Sequence, residues 1–485
     1  MMPAPGSPAE SPPLPQSRIF AGASWLVASK IGSQVFSWVG TLYVASRLTP
    51  EDYGLSNLST AFTEFAVILT NSGIGTTLIQ RQDSDRARAD SLFTLSIGLG
   101  LFLAVIAFGL AYFGAWYFRN PALIPLTQFT AIIYIFITLS IVPYNFLNRD
   151  MRFKERGLLD MYSVWISIAV QIVLAALGFG VWTLLWGSAV RAFARLWLAF
   201  RYSGYRPTIG FDWGLIRGDL RFSAQLTLNW FLFVIKERCI PIIIGRTHSV
   251  ASLGLLGFAG SLSGIPNLKV VQLLREVLLP LLARRSESPA DQLRGLGTAL
   301  RGMALFVVPL YLCGYYYGAA VLEHVLPAKW APMFPLFQVL CLVHLWNVLS
   351  SIVGIYNTAQ GRPSRSTWFD LIMAMCIPAL TFFLRFHDLH FLAHLWSAVG
   401  GVVFLGWFMV LFRGENRFIG GFVSAMLAVS VTCGGAFILD AALLSHVLPA
   451  HALGATVIRV LFFTALYLAF LRTFHWGFLK DLRRK

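Results

Sequence analysis

Apolar stretches of roughly twenty residues recur from one end of this chain to the other, separated by short connecting segments. The hydrocarbon core of a bilayer is about 30 Å thick. A run of about 20 apolar residues crosses it as an α-helix with every backbone hydrogen bond made internally. The runs centre near residues 32, 67, 104, 135, 168, 190, 231, 267, 312, 346, 376, 402, 431 and 464. They predict an all-α polytopic membrane protein of about 14 transmembrane helices. Composition agrees, with 57% of the 485 residues hydrophobic, 12% charged and a mean hydropathy of +0.68.

Lysine and arginine collect on every second connecting segment. With the N-terminus in the cytoplasm, 26 of the 38 fall on the inner side. Five fall outside (Arg47, Arg119, Arg246, Lys329, Arg385), and seven lie within spans (Lys30, Arg191, Lys236, Arg238, Lys269, Arg275, Arg459). Basic loops are held on the cytoplasmic side, so both termini are assigned there. One missed or invented helix would invert the alternation downstream, so its regularity supports the helix count. The net charge of +16 then reflects topology and anionic lipid headgroups, and nucleic acid is not an expected partner.

The ends and the cysteines narrow the class further. Residues 1–17 are rich in proline, lack an apolar run, and read as a disordered cytoplasmic tail without a cleaved signal peptide. Cys239, Cys313, Cys341, Cys376 and Cys433 are isolated and sit in or beside spans, so they read as small apolar packers. The histidines have no ligand spacing, and no metal or cofactor site is expected. The chain has no G-x-x-x-x-G-K-[ST], H-E-x-x-H or G-x-S-x-G. No catalytic residues are assigned and the protein is not expected to be an enzyme. Any energy coupling would come from an ion gradient or from the substrate's own gradient.

Tyr53-Gly54-Leu55 and Leu253-Gly254-Leu255 form a faint repeat, each just after a short outside turn. Each follows a helix with a mid-span lysine, Lys30 in the first and Lys236 in the second. An even number of helices per copy gives both copies the same topology, related by an axis along the membrane normal. The expected organisation is an N-lobe at 18–206 (six helices), a C-lobe at 207–412 (six helices), and 413–485 as two appended helices with a short basic tail.

Intramembrane charge carries the remaining signal. An ionisable side chain at mid-bilayer costs on the order of 3 kcal/mol, so it faces a partner or a wet cavity. Lys30, Ser33, Gln34 and Ser37 share one helix face, and Glu64 lies on the polar face of the second helix. Lys236, Glu237 and Arg238 fall in the seventh helix, and Lys269, Arg275 and Glu276 in the eighth. Some of these form ion pairs that pin helices. Five cations (Lys30, Lys236, Arg238, Lys269, Arg275) against three acids (Glu64, Glu237, Glu276) leave a positive surplus that an anionic ligand would fill. Arg47 and Arg246, at matching outer ends of helices 1 and 7, are candidates for an outer gate. Arg191 and Arg459 are read as snorkelling or internally paired.

The stretch from Arg47-Leu48-Thr49-Pro50-Glu51-Asp52-Tyr53-Gly54-Leu55 to Asn71-Ser72-Gly73-Ile74-Gly75-Thr76-Thr77-Leu78-Ile79-Gln80-Arg81 resembles the opening helix pair of Wzx-type oligosaccharide flippases. These form the polysaccharide-transport branch of the MATE-like (MOP) exporter superfamily. Asn148 to Phe153, Leu278 to Arg285 and Ala359 to Pro363 are similar to the same branch. The resemblance covers about residues 18–410. It implies a V-shaped pair of lobes in the bacterial inner membrane. By alternating access these would move undecaprenyl-diphosphate-linked oligosaccharide repeat units from the cytoplasmic to the outer leaflet, for exopolysaccharide, capsule or O-antigen assembly. The expected substrate-binding residues are Lys30, Gln34, Lys236, Arg238, Lys269 and Arg275. Glu64, Glu237 and Glu276 would tune the cavity or couple to H+ or Na+. Membrane lipids, a polysaccharide polymerase and export machinery are the implied partners.

Two other readings stand beside this one. A multidrug or ion antiporter of the same fold is disfavoured because the first span has no acidic residue, unlike the cation-coupled multidrug branch. A membrane glycosyltransferase or polymerase normally needs catalytic acids in a sizeable outside loop. Glu51 and Asp52 sit in a turn of only a few residues.

Overall fold

The computed structural model describes residues 34, 36–61, 86–216, 234–235, 237–284, 289–360, 362, 364–443 and 453–474, with only the backbone for 269–270, 272–284, 289–292, 453 and 473–474. Within these residues the chain is helical, and no strand occurs. In chain order the helices are α1 (36–47), α2 (Pro50–Ala61), α3 (Arg86–Phe118), α4 (Leu123–Arg149), α5 (Phe153–Ala176), α6 (Trp182–Ser203) and α7 (237–247). They continue as α8 (Val250–Arg284), α9 (Pro289–Val325), a 3-10 turn at Ala328–Met333, α10 (Phe334–Ala359), α11 (Ser364–Phe383), α12 (Leu389–Leu411), α13 (Asn416–Leu443) and α14 (Leu453–Phe474).

Among the described residues, nine helices are long and apolar enough to cross a membrane: α3, α4, α5, and α9 to α14, with the 3-10 turn continuing into α10. α6, which carries Arg191 and Arg195 in its interior, and α8, rich in glycine and serine over 250–268, are long but fall outside this set. The first, second and seventh expected spans lie largely outside the described residues, so the count of 14 stays an expectation.

The chain falls into two compact units. One comprises Met1–Val44, Ala66–Ala111 and Pro125–Thr227; the other comprises Ala45–Phe65, Tyr112–Ile124 and Leu228–Lys485. In the first, small residues let helices approach closely, as expected where lipid offers no hydrophobic drive between helices. Ala104 and Ala107 of α3 meet Ala131 of α4, and Ile133 meets Ala189 and Ala192 of α6. The Ser167 hydroxyl donates to the Gly187 carbonyl at 2.7 Å, joining α5 to α6. A Cβ at Gly187 would run into the side chain of Gln171. In the second unit α10 is the central helix, packed on α8, α9 and α12, with Val348, Leu349, Ile352 and Val353 fully buried. Prolines 143, 309 and 378 lie inside helices, which membrane helices tolerate.

The connector after α6 is strapped to the start of α3. The buried Asp90 carboxylate accepts from the Tyr205 hydroxyl at 2.6 Å, from the Thr208 amide at 3.3 Å, and from the Thr208 hydroxyl. Gly210 and Asp212 amides donate to the Thr94 and Ser91 hydroxyls. Burial and the neighbouring carboxylate raise the Tyr205 phenol above its ordinary range, so it stays a donor. Thr208, Gly210 and Asp212 are thus bonded to α3, and the side chains of Ile209, Phe211 and Trp213 are exposed. Asp90→Asn replaces an acceptor-only group by one with two donors. It is expected to cost about 1–3 kcal/mol and to release the strap. Faster proteolytic cleavage between residues 203 and 213, with the helical core intact, is the measurement; unchanged cleavage would contradict it.

Candidate gate seam and cation positions

The turn between α1 and α2 is built by its own sequence. Thr49 caps α2: its amide and hydroxyl both donate to the Asp52 carboxylate at 2.8 Å, and the Asp52 amide donates back to the Thr49 hydroxyl at 3.2 Å. This is a reciprocal capping box with Pro50 at the first helical position. The corresponding turn before α8 is capped by Ser249, which accepts from the Ser252 amide at 3.0 Å. The two caps, and the glycines that follow at 54 and 254, stand 200 residues apart.

In the second unit these two turns meet each other. A Cβ added to Gly54 would run into the Val250 carbonyl oxygen, and one added to Gly254 into the Pro50 carbonyl oxygen. Each glycine therefore admits the backbone of the other repeat's first helical turn. A Cβ at Gly257 would strike the Asn57 amide, and one at Gly245 would lie 2.6 Å from Leu58. Beside this seam Tyr53, Phe258 and Trp330 form a ring cluster with centroid separations of 4.6–5.2 Å. The Trp330 indole donates to the Ala45 carbonyl at 2.9 Å and the Lys329 ammonium to the Ser46 carbonyl at 2.7 Å. Both bonds satisfy carbonyls that the end of α1 would otherwise leave without a helical partner.

Of the expected outer-gate residues, Arg47 and Arg246 are both exposed. The Arg246 guanidinium lies 5.8 Å from the Tyr117 ring centroid, within cation–π range. Gln34 is half-buried and lies in the first unit. Glu237 is exposed and Arg238 half-buried, side by side on α7 in the second unit. Lys269, Arg275 and Glu276 are on α8, but their side chains lie outside the described residues, as do Lys30, Glu64 and Lys236 entirely. Among the described residues no group of His, Cys, Asp or Glu is arranged to hold a metal. Reading the repeat as a mark of symmetry identified Gly54 and Gly254 without showing that they touch. Lys329 and Trp330 gave no sequence signal beyond their place in an outside turn.

Nine apolar helices of membrane length among the described residues define a multi-pass helical membrane protein. Residues 44–335 match the family described as "Polysaccharide biosynthesis protein", and the chain belongs to that family. It is 22% identical to the lipopolysaccharide biosynthesis protein WzxC of Escherichia coli K12, over 75% of each chain. It is 22% identical to the succinoglycan biosynthesis transport protein ExoT of Rhizobium meliloti, over 84% of this chain and 82% of that one. The teichuronic acid biosynthesis protein TuaB of Bacillus subtilis is 23% identical, over 73% of this chain and 74% of that one. Among solved structures the fold is similar to the lipid II flippase MurJ in an inward closed conformation, with TM-score 0.74 and 14% identity over 94% of this chain and 99% of that one. An inward-facing multidrug resistance MATE family transporter of the MOP superfamily gives TM-score 0.57 at 16% identity, over 82% of this chain and 95% of that one.

Proposed function

We propose that this protein moves undecaprenyl-diphosphate-linked oligosaccharide repeat units from the cytoplasmic to the outer leaflet of the bacterial inner membrane. The observation that carries this reading is a match to a polysaccharide-biosynthesis family over residues 44–335, on a fold shared across 94% of the chain with a lipid II flippase. Lys30, Gln34, Lys236, Arg238, Lys269 and Arg275 engage the diphosphate and sugar, since a desolvated diphosphate needs guanidinium or ammonium partners. Glu64, Glu237 and Glu276 tune those cations or couple transport to H+ or Na+. Lobes at 18–206 and 207–412, with 413–485 appended, rock around the substrate while Arg47 and Arg246 guard the outer opening. Both termini are cytoplasmic, and the product passes to a polymerase and export machinery.

The test is a deletion strain of the native host complemented by wild type, Lys30→Ala or Arg275→Ala, with polymer and lipid-linked intermediates quantified. The expected result is polymer loss and cytoplasmic-face accumulation of intermediates in the deletion, with a tenfold or greater failure of rescue by inserted variants, about 1.4 kcal/mol or more. Unchanged polymer in the deletion strain would overturn the flippase reading in favour of drug or ion transport. Full rescue by both variants would return these charges to structural pairing.

A further inference from the structure

Three arginines inside the first unit remain outside the machinery above, and their geometry carries an inference of its own. Tyr144 of α4 organises two of them. Its hydroxyl donates to the Asp160 carboxylate of α5 at 3.1 Å and accepts from Arg156 Nε at 3.0 Å. The Arg195 guanidinium of α6 stacks on the same ring at 4.2 Å from its centroid. Arg191, one turn along α6, is within electrostatic reach of Arg195 and Asp160. Three guanidiniums thus share this neighbourhood with one carboxylate, and no carboxylate of a described residue lies within ion-pair distance of Arg191 or Arg195.

Depth sharpens the point. At 1.5 Å per residue, Arg195 lies about 12 Å and Arg191 about 18 Å along α6 from its end at Ser203. Tyr144, Arg156 and Asp160 lie about 5–10 Å inside the neighbouring ends of α4 and α5. Those three ends are on the side that the charge pattern assigns to the cytoplasm. Arg191 is exposed on a helix whose other exposed residues include Trp186, Phe193 and Trp197, so it faces lipid or a wet cleft in it. A snorkelling arginine needs only a free path to the headgroups. Here the Tyr144 ring and hydroxyl fix two of the three guanidiniums. Planar forks held this way match the oxygens of a phosphate, an anion that membrane lipids carry.

We propose that Arg156 and Arg195, oriented by Tyr144, together with Arg191 one turn along α6, bind a lipid-borne phosphate from the cytoplasmic leaflet. The phosphate belongs either to a glycerophospholipid headgroup or to a prenyl diphosphate. The site is built from residues other than the cations assigned to transport. As a glycerophospholipid site it anchors α4–α6 against the leaflet; as a prenyl-diphosphate site it is a point of first capture.

Native mass spectrometry of the full-length protein in detergent tests this. The probes are dioleoylphosphatidylglycerol, dioleoylphosphatidylcholine and farnesyl diphosphate. Wild type is expected to retain one tightly held phosphatidylglycerol, and Arg191→Gln/Arg195→Gln to lose that occupancy at least tenfold. Arg385→Gln, half-buried just after the end of α11, is expected to match wild type. Tyr144→Phe keeps the ring under Arg195 but removes the hydroxyl that holds Arg156. It is expected to weaken binding several-fold, and it tests the site even if the double variant fails to fold. Displacement of the lipid by farnesyl diphosphate supports the capture role; retention against it supports the headgroup role. Equal lipid retention by wild type, a monodisperse double variant and Tyr144→Phe would overturn the site.

Discussion

Gly54→Val and Gly254→Val are each expected to abolish polymer export, by tenfold or more, while still inserting in the membrane. At either position even a single Cβ meets a carbonyl oxygen of the opposing turn. A backbone atom in a capped first turn cannot rotate away as a side chain can. Both turns are held by their caps, Thr49 with Asp52 and Ser249 with Ser252. The strain must therefore part α2 from α8. Overpacking costs about 1–3 kcal/mol where neighbours can shift, and the cost rises where they are main chain. Parting the helices also loosens Tyr53 from Phe258 and Trp330. Gly98→Val on α3 is the matched control, because nothing lies within 4 Å of a Cβ there. Its expected effect is that of helix propensity alone, under about 1 kcal/mol. Polymer yield in the complemented deletion strain, normalised to membrane protein by immunoblot, is the measurement. Wild-type export by both valine variants would show that the seam does not have to close.

Trp330→Ala is expected to be the most destabilising single truncation in the second unit. Trp330 is fully buried and is the largest such side chain described. It packs on Phe258 and meets Tyr53 edge-on, at 4.6 and 5.2 Å between centroids. Removing a buried tryptophan side chain costs about 3–5 kcal/mol, and the Ala45 carbonyl also loses its donor. Trp330→Phe separates the two contributions, because it keeps most of the packing and loses the hydrogen bond, for about 1 kcal/mol. Thermal unfolding in detergent, followed by a thiol-reactive dye on the buried Cys341 and Cys433, distinguishes them. The alanine variant should melt roughly 5–10 °C lower and the phenylalanine variant a few degrees lower. Equal melting of alanine variant and wild type would mean that the ring cluster contributes little to stability.

Local and additive features were legible before any coordinates. Runs such as α12 and α13 reveal their character residue by residue, since each side chain's transfer into lipid adds to the next. The Tyr53-Gly54-Leu55 and Leu253-Gly254-Leu255 repeat is written within three positions each time. Charge in the interiors of α6 and α8 was equally plain. The roles of individual charges were less legible. Arg191, read as snorkelling or internally paired, lies beside two arginines organised by one tyrosine. Lys329, counted as an outside-loop charge, closes the end of α1. The strap from Asp90 to Thr208 joins residues 118 apart, with no periodic pattern to announce it.

Sequence alone determined that the chain is helical, that it crosses a membrane repeatedly, that a glycine-bearing segment recurs after two outside turns, and which family it resembles. Only the tertiary structure decided that Gly54 and Gly254 admit each other's turns, that Trp330 closes α1, and that Tyr144 gathers Arg156 and Arg195. The reason lies in the solvent. Lipid rewards an apolar residue wherever it faces, so hydropathy records where a helix is without recording its neighbours. Pairing between membrane helices rests on backbone approach at small residues and on single hydrogen bonds across long sequence separations. These depend on side-chain direction in space and leave no period in the sequence.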